Sequence, residues 1–256
     1  MKLYNFLLGQ DLYEPYLQND GYSYLEYASN DTFELYNENE KHQPHDWYYR
    51  NKTINYRYNK YGHRSKNIEE LDFDNYCLFI GCSQTEGIGL ELENTYPYLL
   101  SKNLNCDYYN LGMSGSGMDV VLYNLITWYN QFKKPPKYTI IQFPDDTRFL
   151  SQREGYKNYI TNGTWDKEEE VSKFIAAVDL SGYNNMRREL CYKLIENTAK
   201  NLIPIRDKNI FRYGHSKYAL TIRKKDKARD LVHSGIESQK LLVDEILVYI
   251  KEIYKD

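Results

Sequence analysis

Residues 76–83 read YCLFIGCS and carry the clearest structural signal in the chain. Apolar and aromatic side chains follow one another without a break from Tyr76 to Ile80 and end at Gly81. An uninterrupted run of this kind is typical of a strand that is buried on both faces of a parallel sheet. We therefore predict a buried strand over residues 76–80, with Ser83 just beyond its carboxyl end.

Two further strands are predicted downstream, over residues 108–111 and over residues 138–143, which read YTIIQF. Apolar residues recur at helical spacing over residues 95–104, with Asn94 as the expected N-cap, and again over residues 121–132. Connections of this length exclude hairpins and indicate parallel crossover units. The predicted fold class is α/β, a three-layer α/β/α sandwich with a central parallel sheet.

The rest of the chain divides into three predicted parts. Residues 1–70 are rich in Tyr, Asn and acidic residues without a sustained helical period, which predicts an irregular extension packed on the core, with one short strand over residues 53–58. Residues 71–256 are predicted to form the main domain. An insertion at about residues 151–225 is expected to be helical and to lie over or beside the sheet's active edge. A final helix carries an apolar stripe that starts at Ile236. Within the insertion, helices are predicted over residues 165–177 and 184–202.

The composition excludes several classes of protein. The 256 residues carry 33 basic and 36 acidic side chains, a formal net charge of -3 with a pI near 6.0, which is not the footprint of a nucleic-acid binder. The four cysteines form no CxxC pair, so neither a disulfide framework nor a zinc site is predicted. Tyrosine occurs 28 times, which we attribute to an AT-rich genome, with a surface that stacks on sugar rings or bases as the alternative.

The hydropathy of the chain predicts a soluble protein. Mean hydropathy is -0.75, and no segment approaches the roughly 18 apolar residues of a membrane span. The apolar stretch at residues 3–8 is too short for a signal peptide and is soon followed by Asp11 and Glu14. We expect no signal peptide, no membrane partner and a cytoplasmic protein, or a virion-associated one if the chain comes from a phage.

Two short segments carry groups suited to nucleophilic catalysis. Ser83 stands at the end of the first buried strand, where backbone N–H groups point outward. Residues 228–235 read ARDLVHSG, and the spacing of Asp230 and His233 allows the carboxylate to hold the imidazole on a single turn. The GxSxG elbow of α/β-hydrolases is excluded, because the first glycine after the serine is Gly87.

The order of the motifs resembles that of the SGNH/GDSL hydrolase family over residues 50–250. Residues 81–87, GCSQTEG, resemble the family's first block and place Ser83 in the nucleophile position. Residues 110–115, NLGMSG, resemble its second block, which implies that the N–H of Gly115 belongs to the oxyanion hole.

The third matching motif is the DxxH block, formed here by Asp230 and His233. Residues 59–65, NKYGHRS, also resemble the segment that precedes the first block in a branch of the family common in phages and bacteria. The resemblance implies a flavodoxin-like sandwich and a serine esterase that uses a Ser-His-Asp triad, with no cofactor and no metal.

Two departures from the family pattern bear on the site. Cys82 stands where the first block has Asp, which affects substrate and local hydrogen bonding more than catalysis. The family's third block supplies an Asn to the oxyanion hole, whereas residues 142–148 read QFPDDTR. A carboxylate would repel a developing oxyanion, so Asp145 and Asp146 cannot simply substitute, which leaves Thr147 or another backbone N–H as the candidate replacement.

We expect hydrolysis of small acyl esters, O-acetyl groups among them, on a glycan or another small molecule. The alternative is a non-catalytic carbohydrate-binding or structural protein on the same fold. Candidate substrate contacts are Gln84, Asp145, Asp146, Thr147 and Arg148.

Two other sites are weighed and disfavoured. His42 and His45 have metal-like spacing, but Pro44 intervenes and no second cluster supplies further ligands. The glycine-rich turn at residues 112–117 could cradle a phosphate, yet it matches neither GxGxxG nor GxxxxGK[ST]. The oligomeric state is left open.

Overall fold

The computed structural model describes residues 17–145, 147–152, 159–163, 169–180, 182–206, 220–222 and 224–254. The strands are β1 (Tyr22–Leu25), β2 (Tyr56–Asn59), β3 (Tyr76–Ile80), β4 (Asp107–Asn110), β5 (Tyr138–Phe143), β6 (Phe149–Gln152), β7 (Tyr159–Asn162), β8 (Leu202–Arg206) and β9 (Leu220–Thr221). The helices are α1 (Phe33–Lys41), α2 (Ser83–Glu86), α3 (Tyr96–Asn103), α4 (Met118–Gln131), α5 (Glu169–Leu180), α6 (Tyr183–Thr198) and α7 (Ile236–Ile253), with short 3-10 turns at Ile68–Glu70 and Leu92–Asn94.

A five-stranded parallel sheet in the order β4-β3-β5-β8-β9 forms the centre. The predicted strands over residues 76–80 and 138–143 are confirmed, and the strand between them begins one residue earlier than expected. Strand β8 was missed, because the pattern had extended a helix to residue 202. Pro204 is tolerated there, since the short neighbour β9 pairs only with Ile205 and Arg206.

Side chains of the central strands alternate between two apolar layers. Leu78 of β3 packs with Trp128 of α4 and Ile195 of α6 on one face. Phe79, one residue further, packs on the other face against side chains of α3 and α7 such as Val243. Because every strand residue here is buried, β3 reads as a continuous apolar run, and the predicted three-layer α/β/α sandwich is confirmed.

The N-terminal layer is more regular than expected. Strands β1 and β2 pair antiparallel, and α1 is a helix that the sequence analysis did not predict. Of its residues, FELYNENEK, only Tyr36 is buried, so the sequence shows no apolar helical period. The start of the helix is set by Thr32, whose side chain accepts from Leu35 N at 3.1 Å. Tyr56 and Tyr58 pack this layer onto the loops that follow β3 and precede α7.

The insertion is mixed rather than helical. Its two predicted helices are present as α5 and α6, and strands β6 and β7 form an antiparallel hairpin before them. Helix α3 begins at Tyr96, so its N-cap is Thr95 rather than Asn94. Helix α7 begins at Ile236 as predicted. Among the described residues, no helix combines the length and the apolar character needed to cross a membrane.

A buried ion pair joins the N-terminal layer to the loop before α7. The guanidinium of Arg229 donates from Nη2 to Asp31 Oδ2 at 2.7 Å, and both side chains are at most 1% exposed. The Tyr56 hydroxyl donates to the same carboxylate at 2.5 Å. Burial alone would lower the pKa of Arg229, but its hydrogen bonds to Asp31 and the carboxylate's charge outweigh burial and raise it.

Replacing Asp31 with Asn is expected to lower the free energy of unfolding by about 3–5 kcal/mol, because Arg229 would remain buried without a counter-charge. Urea unfolding followed by circular dichroism measures the change. Glu169→Gln breaks the exposed Glu169–Lys173 pair and serves as the control, with an expected change of about 0–1 kcal/mol. A loss for Asp31→Asn no larger than the control's would contradict a structural role for the buried pair.

Candidate active site

Ser83 begins the single-turn helix α2 directly after β3 and is 8% exposed. The turn closes when the N–H groups of Thr85 and Glu86 donate to the Cys82 carbonyl at 2.9 and 3.0 Å. From the end of β5, Gln142 accepts through Oε1 from Cys82 N at 3.2 Å and from the Thr85 hydroxyl at 2.9 Å. The serine thus stands on a turn fastened to the neighbouring strand.

His233 reaches Ser83 across 150 residues of sequence. Its Nε2 lies 2.6 Å from Ser83 Oγ, and its Nδ1 is hydrogen-bonded to Asp230 Oδ2. The other oxygen of Asp230 accepts from the backbone N–H of His233 at 3.0 Å, which fixes the loop. The structure therefore brings all three residues of the DxxH and GxS motifs into one hydrogen-bonded chain.

The environment of this chain favours an ionised Asp230 beside His233. Asp230 is 1% exposed and His233 is 5% exposed. Burial would raise the pKa of Asp230, but hydrogen bonds from the His233 side chain and backbone, and the attraction of its ring, lower it overall. The carboxylate can then hold a proton on Nδ1 and leave Nε2 as the acceptor that faces Ser83.

The loop that follows β4 is anchored to the Ser83 turn by Glu86, which is 4% exposed. Glu86 Oε2 accepts from both the backbone N–H and the hydroxyl of Ser114 at 2.6 Å, while Oε1 accepts from the Tyr58 hydroxyl at 2.6 Å. Gly115 comes next and has φ of 78°, a left-handed backbone that glycine adopts without strain. Glu86 was not among the predicted site residues, although a carboxylate inside the turn that follows a buried strand could have indicated it.

The same loop lies in direct contact with α2. Asn110 donates to the carbonyl of Thr85 at 2.8 Å and accepts from Gly112 N at 2.8 Å. A Cβ atom at Gly112 would lie 2.7 Å from Glu86 N, so only glycine allows this approach. The segment that carries Gly115 is therefore held against the turn that carries Ser83.

Two described residues beyond β5, Asp145 and Thr147, are hydrogen-bonded to each other. Asp145 Oδ1 accepts from both the backbone N–H and the hydroxyl of Thr147, at 2.9 and 2.8 Å, so this hydroxyl already has an acceptor. Arg148 is half-buried and donates to the carbonyl of Ser116 in the glycine-rich loop at 3.3 Å. Asp146 lies outside the described residues.

The remaining sequence candidates take other places. Gln84 is buried and accepts from Ser234 N at 3.3 Å, which ties α2 to the His233 loop. His42 contacts Glu38 at 3.1 Å on the exposed side of α1, and His45 is exposed. In the part of the chain that the structure describes, no group of three or more His, Cys, Asp or Glu side chains is arranged to hold a metal ion.

Solved structures similar to this chain include three esterases or lipolytic proteins. An acetyl xylan esterase from the rumen bacterium Butyrivibrio proteoclasticus is 16% identical, with 73% of this chain and 65% of that chain covered and a TM-score of 0.39. A member of the lipolytic G-D-S-L family from Veillonella parvula is 11% identical, with 69% and 73% covered and a TM-score of 0.31. A psychrotrophic esterase from Pseudoalteromonas sp. is 14% identical, with 72% and 100% covered and a TM-score of 0.40.

No protein-family model matches the chain, and no curated protein matches it. The chain spans less than two thirds of the acetyl xylan esterase. It is thus similar to G-D-S-L lipolytic proteins and carbohydrate esterases at low identity. Because similarity at this level carries no functional argument, we base the function on the contacts of Ser83, His233 and Asp230.

The lowered pKa of Asp230 predicts how stability depends on pH. A carboxyl group whose pKa is lower in the folded than in the unfolded chain stabilises the fold above its unfolded value, about 3.9, and loses that contribution as the pH falls through its folded value. Asp230→Asn should therefore be less stable than the wild type at pH 7, and the gap should close below about pH 4. Urea unfolding at a series of pH values from 7 down to 3 measures the gap.

Ser83→Ala is the control for this measurement, because it removes no titrating carboxyl group and its stability difference from the wild type should stay nearly constant over the same range. A gap for Asp230→Asn that persists unchanged to pH 3 would show that the His233 contact does not stabilise the ionised carboxylate.

Proposed function

We propose that this protein is a serine hydrolase of carboxylic esters, of the SGNH type. The observation that carries the proposal is the contact of 2.6 Å between Ser83 Oγ and His233 Nε2, with Nδ1 of the same ring on Asp230. A hydroxyl, an imidazole and a buried carboxylate in this order form the arrangement that activates serine as a nucleophile.

The proposed reaction begins when Ser83 Oγ attacks the ester carbonyl and its proton passes to His233 Nε2. Asp230 holds the ring in the required tautomer and stabilises the imidazolium that forms. His233 then protonates the leaving alcohol, so that an acyl-enzyme remains on Ser83. The same nitrogen then takes a proton from a water molecule, whose oxygen attacks the acyl carbon. As the tetrahedral intermediate collapses, His233 returns this proton to Ser83 Oγ, and the free serine and the carboxylic acid are released.

We propose that the backbone N–H groups of Ser83 and Gly115 stabilise the oxyanion. The contact of Glu86 with Ser114 supports this, because it ties the glycine-rich loop to the nucleophile's own turn. The Thr147 hydroxyl is a poor third donor, since it already donates to Asp145. We therefore assign two oxyanion donors.

The proposed substrate class is a small acyl ester, with an O-acetyl group on a sugar as the finer assignment. Ser83 and His233 are each less than a tenth exposed, which favours a small acyl group over a long chain. The assignment of a sugar rests on the family resemblance and on the tyrosine-rich composition. Arg148, half-buried beside the glycine-rich loop, remains a candidate substrate contact.

Ser83→Ala is expected to lower kcat for p-nitrophenyl acetate by at least about 10³-fold, since the nucleophile itself is removed. Labelling by a serine-directed fluorophosphonate should disappear in the same variant. Ser101→Ala serves as the control, because it deletes another buried hydroxyl, one that donates to the Tyr98 carbonyl within α3. If wild type and Ser83→Ala are equally inert towards acyl esters, the non-catalytic carbohydrate-binding alternative replaces the esterase.

Glu86→Ala should lower kcat, by up to about 10²-fold, with little change in KM, because the loop that carries the Gly115 N–H loses its anchor. Glu86→Gln should recover much of the rate, since an amide oxygen still accepts from Ser114 and the amide nitrogen can donate to the Tyr58 oxygen. Steady-state kinetics separates kcat from KM. Equal rates for the two variants, or a change confined to KM, would rule out this positioning role.

A further inference from the structure

Two free thiols face each other where strands β3 and β4 begin. Sγ of Cys77, in β3, lies 3.3 Å from Sγ of Cys106, the residue directly before β4. Cys77 is in register with Tyr108, so Cys106 stands two residues earlier in the neighbouring strand, and both cysteines pack on the face of the sheet that α3 and α7 cover. The sulfurs of a disulfide are about 2.0 Å apart, so an approach of about 1.3 Å would bring these two into bonding distance.

The two cysteines differ in their access to solvent. Cys77 is 0% exposed, whereas Cys106 is half-buried and lines a cavity of about 200 Å³ together with Ser101 and Lys102. A water molecule needs only about 10–15 Å³ of such space, so this cavity admits a molecule as small as hydrogen peroxide. A small oxidant therefore meets Cys106 first.

The same asymmetry decides which sulfur ionises. A hydrogen bond from the Cys77 thiol, and secondarily the charge of Lys137, lower the pKa of Cys106, although partial burial opposes them. That hydrogen bond and burial raise the pKa of Cys77. The thiolate therefore forms on Cys106, while Cys77 keeps its proton. An accessible, readily ionised sulfur beside a second thiol is the arrangement found in cysteines that respond to oxidants.

We propose that Cys106 and Cys77 form a peroxide-sensitive pair that closes reversibly to a disulfide. The Cys106 thiolate first attacks one oxygen of hydrogen peroxide. The O–O bond breaks and hydroxide leaves, so the sulfur is oxidised by two electrons to a sulfenic acid while the peroxide is reduced. The Cys77 sulfur then attacks the sulfur of Cys106, the S–S bond forms, and the sulfenic oxygen leaves as water with the thiol proton of Cys77. A thiol reductant reverses the reaction by exchange.

The disulfide would join the end strand of the described sheet to its neighbour. Strand β4 lies at one end of the order β4-β3-β5-β8-β9 and pairs with β3 over four residues. A bond between Cys77 and Cys106 restrains the unfolded chain and therefore raises the temperature of unfolding. The pair lies where the two strands begin, whereas Ser83 follows the carboxyl end of β3, so the proposal goes beyond the esterase and does not require it.

Treatment of the full chain with hydrogen peroxide tests the proposal, by mass spectrometry of the intact protein and of its unreduced peptides. Wild type should lose the mass of two hydrogen atoms and yield a peptide pair linked through Cys77 and Cys106. Dithiothreitol should restore the original mass. The thermal midpoint of the oxidised protein should lie at least about 3 °C above that of the reduced protein.

Substitutions of single cysteines separate the two steps. Cys77→Ala removes the second thiol, so the sulfenic acid on Cys106 should persist and be trapped by dimedone, which should leave Cys106 of the fully oxidised wild type unlabelled. Cys106→Ala should abolish both the linked peptide pair and the rise in thermal midpoint. Cys191→Ala is the matched control, because it removes another buried thiol on the other face of the sheet and should leave both effects intact.

If Cys77→Ala does not fold, Cys106→Ala decides, because Cys106 is only half-buried. Three results for peroxide-treated wild type would overturn the proposal. These are thiols that remain free on both Cys77 and Cys106, a Cys106 linked to another cysteine or to a second copy of the chain, and a thermal midpoint equal to that of the reduced protein.

Discussion

The buried ion pair between Asp31 and Arg229 is the interaction on which the geometry of the site depends. Asp230 is the next residue after Arg229 in the chain. Because Asp31 fixes the guanidinium of Arg229, it also restrains the backbone that positions the Asp230 carboxylate. The N–H of Arg229 also donates to the Gly89 carbonyl at 3.0 Å, in the loop that leaves the Ser83 turn. Tyr56 completes the connection, because its oxygen donates to Asp31 and accepts from Gly89 N.

A second buried arginine restrains the backbone on the Ser83 side of the site. Arg64, which is 1% exposed, donates to the carbonyls of Gly87 and Leu90 at 2.6 and 2.7 Å, just after α2. Taking a guanidinium out of water is costly, and the cost is offset only where acceptors surround it. A buried guanidinium therefore tolerates few alternative arrangements. Through Asp31 and Arg64, the N-terminal layer restrains the backbone on both sides of the contact between Ser83 and His233.

Local patterns account for most of what could be predicted. The apolar run of β3 and the stripe of α7 are properties of neighbouring residues, and both elements lie where the sequence analysis put them. Helix α1 was not predicted, because it buries a single tyrosine and therefore shows no apolar period, and because its start depends on the Thr32 cap. Strand β8 escaped because LIPIR follows a helical pattern without a break and becomes a strand only by pairing with β5.

Periodicity along single segments was enough to predict the fold class, and the order of the motifs, through its resemblance to the SGNH/GDSL family, was enough to nominate Ser83, Asp230 and His233 for catalysis. The folded chain adds that Ser83 Oγ and His233 Nε2, which belong to residues 150 positions apart, lie 2.6 Å from each other. It also decided that Glu86 holds the glycine-rich loop and that Asp31 neutralises Arg229. Contacts of this kind join distant parts of the chain, and their distances are set by how layers pack on the sheet, which no local pattern encodes.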